Sequence, residues 1–170
     1  MEYKIEKLSD LIYDNANFEK FAEQIYYLTD HLSCDYPNHY QWFFQKHIPF
    51  VGKIPVDNEE REVLFIRNHG NICGISCLKK SEKEKKICTF YVAEHGRNIG
   101  IGRTLMTESI IYLGTETPMI TMPAEKVTFF LHFIYQYNWK ITQIEEDYYV
   151  KGNDEVVFNG TLEPVTSLHH

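Results

Sequence analysis

No stretch of this chain approaches the ~20 consecutive apolar residues needed to cross a bilayer, and its start, Met1-Glu2-Tyr3-Lys4, has no apolar signal core. The expectation is a soluble, cytoplasmic protein without membrane partners. Four cysteines, Cys34, Cys73, Cys77 and Cys88, form no C-x-x-C pair and lie at no zinc-type spacing to histidine, so no metal is expected. They read as reduced thiols. Cys73 and Cys77 lie four apart on an expected strand, hence on one face, as small buried hydrophobes. Positive charge is also scarce: 17 Lys and Arg stand against 24 Asp and Glu, a net charge of −7. That balance argues against broad binding to nucleic-acid phosphates and suits a cationic partner. Repeats, low-complexity linkers and a second domain are likewise missing.

What is present is an ordinary globular composition, 44% apolar, 24% charged and 15% aromatic over 170 residues. One domain is expected over residues 3–160, large enough to bury roughly two-thirds of its unfolded surface. Residues 161–170 read as a tail; its Leu168-His169-His170 is either native or the start of a purification tag, and those histidines are not site candidates.

Periodicity places a strand at Tyr3–Lys7 and a helix carrying Phe18, Phe21, Ala22, Ile25, Leu28 and Leu32. An aromatic-rich helix with Tyr40, Trp42, Phe43 and Phe44 follows between Pro37 and Pro49, and then a polar connection from Gly52 to Glu60. Strands at Val63–Ile66 and Ile72–Leu78 flank the turn Asn68-His69-Gly70-Asn71. The mixed-charge run Lys79–Lys86 reads as a solvated loop. Beyond it come a strand at Ile87–Val92, a helix from Arg103 ended by Gly114, and a strand at Pro118–Met122. A helix at Val127–Tyr137 and strands at Ile141–Val150 and Glu155–Phe158 complete the chain.

The strand Ile87-Cys88-Thr89-Phe90-Tyr91-Val92 runs into Arg97-Asn98-Ile99-Gly100-Ile101-Gly102 and then into a helix with Leu105, Met106, Ser109, Ile110 and Leu113 on one face. Glycines let a bulky anion approach backbone N–H groups, and the helix dipole favours a pyrophosphate there. A P-loop is excluded, because Arg97 stands where its first glycine belongs and Arg103 where its lysine belongs. A dinucleotide fingerprint fails as well, since Leu105 occupies its third glycine.

The remaining pattern, Arg-x-x-Gly-x-Gly after an apolar strand, resembles the acetyl-CoA loop of the GNAT superfamily of N-acetyltransferases. The order of elements over about residues 3–160 resembles that fold too. The resemblance implies an α/β (α+β) fold with a mixed, mostly antiparallel sheet of six to seven strands and about four helices on both faces. The strands at Ile87–Val92 and Pro118–Met122 would splay apart to admit pantetheine. Backbone groups of Phe90, Tyr91 and Val92 would pair with its amides, and Asn98, Ile99, Gly100, Ile101, Gly102, Arg103 and Thr104 would hold the pyrophosphate. Arg97 would contact a phosphate or fix the loop through carbonyls. An N–H near Val92 would stabilise the oxyanion formed when an amine attacks the thioester.

The chain departs from the family pattern at the acid. Setting Asn138-Trp139 against the usual Gly-Phe puts Ile134 at the tyrosine position. Tyr135, one residue on and turned about 100° away, is the substitute candidate. Glu94, and His95 beside it, are candidates for the base. Asp35, Tyr36, Tyr40 and Trp42 would wall the acceptor site. The expected activity is acetyl transfer from acetyl-CoA, the acyl donor, to a primary amine of a small molecule or protein by direct attack. Two alternatives stay open, a non-catalytic acyl-CoA sensor and an aminoacyl-tRNA-acetylating toxin. A homodimer, formed through a sheet edge at Glu155–Phe158, is also open.

Overall fold

The computed structural model describes residues 3–53, 55 and 57–163; the tag question at Leu168–His170 lies outside them. Among the described residues seven strands form one sheet: β1 (Ile5–Lys7), β2 (Glu60–Asn68), β3 (Asn71–Lys80), β4 (Lys85–Val92), β5 (Met119–Pro123), β6 (Ile141–Glu145) and β7 (Glu155–Phe158). Their order is β1-β2-β3-β4-β5-β7-β6, and every neighbouring pair is antiparallel except β4 with β5. Helices α1 (Asn15–Thr29) and α2 (His39–Gln41) precede β2, α3 (Ile101–Leu113) links β4 to β5, and α4 (Leu131–Gln136) precedes β6. The expected α/β class and mixed sheet are what the chain forms.

Both faces of the sheet are covered, which explains the continuous apolar run in β2. Leu64 and Ile66 pack with Ile101, Leu105 and Trp139 on the face of α3 and α4, while Val63 and Phe65 pack with Ile25, Trp42 and Phe43 on the face of α1 and α2. Helix α1 starts at Asp14, whose carboxylate accepts from the Asn17 N–H at 3.3 Å. Helix α3 stops at Gly114, held at φ 72°, whose N–H returns to the Ile110 carbonyl at 2.8 Å. Because only glycine takes that left-handed conformation without strain, Gly114→Ala should cost about 1 kcal/mol of unfolding free energy in urea.

Several local expectations change. The segment after α2 is a π-helix, Trp42–His47, followed by a 3-10 turn at Ile48–Phe50; the wider turn brings Trp42, Phe43 and His47 inward together. Helix α3 begins at Ile101 rather than Arg103. The expected helix at Val127–Tyr137 is a 3-10 stretch, Ala124–Phe130, leading into the short α4. Strand β6 ends at Glu145, before Asp147 turns the chain at φ 52°. The lysine-rich run is mostly strand: Lys79 and Lys80 end β3, Lys85 and Lys86 begin β4, and only Ser81–Glu84 turns. Two of its side chains are held by neighbours: Lys79 pairs with Glu84 at 2.9 Å and Lys80 donates to the Tyr112 carbonyl at 3.1 Å.

Cys73 and Cys77 lie on opposite faces, against expectation. Ile66 registers with Gly74 and Arg67 with Ile72, so Cys73 is the extra residue of a β-bulge and the period-2 count breaks there. Strand β7 is not an edge either. It lies between β5 and β6, so a dimer cannot form along it; β6 is the outer strand.

Candidate functional site

Strands β4 and β5 register at only two positions, Lys86 with Met119 and Ile87 with Ile120. Immediately beyond, β4 bulges: Leu78 registers with Ile87 and Cys77 with Thr89, leaving Cys88 as the extra residue. Among the described residues, therefore, no strand pairs with the side of β4 away from β3 from Cys88 to Val92. The expected splay between these two strands is present, and a cleft of about 620 Å³ opens there. That volume suits a small-molecule ligand.

Phe90, Tyr91 and Val92 line one wall, Arg97, Asn98 and Gly102 the mouth, and Lys126, Phe129, Phe130 and Phe133 the wall opposite; His31 closes one side with its ring 4.6 Å from Tyr91. Of the other loop candidates, Ile101 is core beneath α3, and Ile99 and Arg103 are exposed. Gly100 is the N-cap at φ 92°, and Thr104 bonds back to its carbonyl through both N–H and hydroxyl. Among the described residues no side chain caps α3. Helical geometry thus leaves the N–H groups of Ile101, Gly102 and Arg103 without intrahelical acceptors at the cleft mouth, the arrangement that binds anions. Arg97 fixes the loop: its Nε donates to the Val92 carbonyl at 3.0 Å, and its guanidinium lies 5.8 Å from the Tyr91 ring.

The catalytic candidates fall elsewhere. Tyr135 is 79% exposed on α4 and does not line the cleft, and neither do Glu94 and His95, which sit exposed on the 3-10 turn Glu94–Gly96. Ile134, at the family's tyrosine position, packs against the core. Among the acceptor-wall candidates Trp42 is core and Tyr40 is exposed beside Tyr26, whereas Asp35 and Tyr36 reach the interior. Asp35 accepts from Lys126 at 2.8 Å, joining the segment after α1 to the far wall of the cleft.

Tyr36 donates its hydroxyl to Glu155 at 2.8 Å. Glu155 is only 3% exposed, and burial pushes its carboxyl up to about 7, against the opposing hydrogen bonds from Tyr36 and Thr121. Tyr149 stacks edge-on to Tyr36 with ring centroids 4.9 Å apart, and burial raises both hydroxyls well above the ordinary phenol range. The sequence alone did not single out Glu155. The signal was present: a lone carboxylate opening the otherwise apolar strand Glu155-Val156-Val157-Phe158.

No protein-family model and no curated protein matches the chain. Solved structures do. A Bacillus anthracis str. Ames protein described as a streptothricin acetyltransferase, in complex with acetyl coenzyme A, aligns over 65% of this chain and 64% of its own at 15% identity and a TM-score of 0.52. The ribosomal-protein-S18-alanine N-acetyltransferase of Escherichia coli aligns over 64% of this chain and 75% of its own at 14% identity and TM-score 0.50. The ribosomal-protein-alanine N-acetyltransferase of Brucella melitensis aligns over 60% and 69% at 18% identity and TM-score 0.50. At these identities the likeness establishes the fold, which is that of the GNAT acetyltransferases.

Proposed function

We propose that this protein is an N-acetyltransferase, a single GNAT unit over residues 3–160 that moves acetyl from acetyl-CoA to a primary amine. The observation that carries the reading is the continuity of the cleft: strand backbone freed by the β4–β5 split leads directly to the uncapped start of α3. An elongated donor with an amide-bearing arm and an anionic pyrophosphate matches both ends. The arm would pair with β4 at Phe90–Val92 as an added strand does, and the pyrophosphate would take the N–H groups of Ile101–Arg103. Arg97 occupies one lone pair of the Val92 carbonyl and leaves the second for the arm. Acetyl transfer then needs only proximity, proton removal from the amine and stabilisation of the oxyanion, with no covalent enzyme intermediate.

Titration calorimetry with acetyl-CoA and with CoA tests the reading, followed by thiol release in the presence of candidate amines. Micromolar binding of both ligands with turnover is expected; failure to bind either one overturns it. Binding without turnover favours the acyl-CoA sensor, a reading supported by the outward position of Tyr135. Arg97→Ala should weaken acetyl-CoA about tenfold, the worth of one charge-assisted bond that fixes the loop, with the circular dichroism spectrum unchanged.

A further inference from the structure

The sheet face opposite α3 holds a buried polar group that the donor cleft does not use. Glu155, Thr121, Tyr36 and Tyr149 come together from four separate parts of the chain: the start of β7, the middle of β5, the segment after α1 and the β6–β7 connection. Glu155 registers with Pro123 at the end of β5, the strand that leaves β4 to open the cleft. Among the described residues it takes part in no ion pair within 4.0 Å. A buried carboxylate held by hydroxyls, with Lys86 acting on it only from beyond ion-pair distance, is costly, and a purely structural site would be filled more stably by an apolar side chain.

We propose that Glu155 is the proton acceptor for the incoming amine, which approaches from this face, and that Tyr36 positions the Glu155 carboxylate. The proposal rests on the acetyl-transfer reading above. An ammonium acceptor gives one proton to the carboxylate, and the freed lone pair forms the C–N bond at the thioester carbonyl. The carbonyl π pair moves to oxygen and returns as the C–S bond breaks, with that bond's electrons leaving on sulfur. The second amine proton goes to the thiolate, and Glu155 returns its own to solvent. The result is one amide, one CoA thiol and one released proton. The aromatic walls at Tyr36 and Tyr149 and the net charge of −7 favour a cationic acceptor.

The groups facing Glu155 set where it titrates. Tyr36 and Asp35 come from the segment after α1, Lys86 from β4, and Tyr148 and Tyr149 from the β6–β7 connection; Glu145 is its register partner on β6. Burial dominates and raises the carboxyl to about 7, Asp35 adds to this, and Tyr36 and Lys86 oppose it.

The test uses the full chain with acetyl-CoA as the only ligand and water in the amine's place, reading thiol release against pH alongside calorimetric affinity. The wild-type rate should climb with pH through about 7 and then level. Glu155→Gln should lose that limb and fall by on the order of 10²-fold, with acetyl-CoA affinity unchanged. Tyr36→Phe, which keeps the ring and removes the donated hydrogen bond, should move the limb to higher pH. Glu155→Gln retaining the limb or the rate overturns the proposal, and so does a Tyr36→Phe limb that stays in place, a readout that survives if the glutamine variant fails to fold. Binding without thiol release at any pH overturns it while leaving the donor site intact. Loss of acetyl-CoA binding in the wild type instead overturns the underlying reading.

Discussion

Gly102→Glu should weaken acetyl-CoA by at least about 100-fold in calorimetry, because it sets a carboxylate among the N–H groups that would hold the pyrophosphate. Gly102 is the second residue of α3 and lines the cleft mouth. A Cβ there meets only the Val92 Cγ2, at 3.6 Å, an ordinary contact, so the substitution fits the fold. An acidic residue in the first turn of a helix is also favourable to the helix itself, and thermal stability should hold or rise slightly. The loss would therefore come from two sources in the site alone: occupied N–H donors and repulsion between like charges in a partly enclosed cleft. Gly102→Ala, with no charge, should lose only a few-fold. The contrast between the two separates electrostatics from steric crowding. If Gly102→Glu binds as the wild type does, the pyrophosphate does not sit at this helix.

That half of the site was legible because its determinants are contiguous. Strand β4, the loop Arg97–Gly102 and helix α3 follow one another, and each reads from local rules: apolar alternation, glycines at a turn, helical spacing ended by Gly114. The same locality explains why all seven strands were placed with errors only at their ends. The failures lie where neighbours in space override neighbours in sequence. Lys79 belongs to a strand with Glu84 paired to it, and Lys86 lies in β4 between Lys79 of β3 and Met119 of β5, neither of which a run of charged letters shows. Cys73 and Cys88 are bulge residues, visible only once two strands are paired, and each bulge reverses the side-chain count that follows it.

The cluster around Glu155 was hidden for the same reason. Tyr36 and Glu155 are 119 positions apart and meet only when β7 inserts between β5 and β6. Tyr135 was reached as the neighbour of Ile134, which setting Asn138-Trp139 against the family's Gly-Phe puts at the tyrosine position, but Phe133 and Ile134 pack against the core and leave Tyr135 facing solvent. A helix this short offers one buried stripe, and aromatic packing rather than chemistry decides which residues fill it.

His47→Gln should remove a pH-dependent destabilisation worth about 2 kcal/mol by pH 5. His47 is fully buried; its Nε2 lies 3.0 Å from the Glu62 carbonyl and its Nδ1 3.2 Å from an Arg61 guanidinium nitrogen. Because Arg61 can only donate, Nδ1 accepts and Nε2–H donates, so the ring is held neutral. Burial, reinforced by Arg61, lowers its pKa from 6.5 to about 3. The unfolded chain therefore takes up a proton below 6.5 that the folded chain refuses until about 3, and stability falls as pH drops through that window. His39, lowered to about 4 by burial, acts in the same direction. Glu155, raised to about 7, acts oppositely: the folded state holds its proton more tightly, which adds stability as pH falls from 7 toward 4.5. These terms partly cancel in the wild-type profile, so the difference between two proteins is what isolates one of them. In urea unfolding at pH 8, 6.5 and 5, His47→Gln should begin less stable, having lost the contact of its ring with Trp42 at 4.9 Å, and then gain on the wild type by about 1.4 kcal/mol per unit below 6.5. Parallel profiles would mean that His47 is protonated in the folded protein, which the guanidinium beside it opposes.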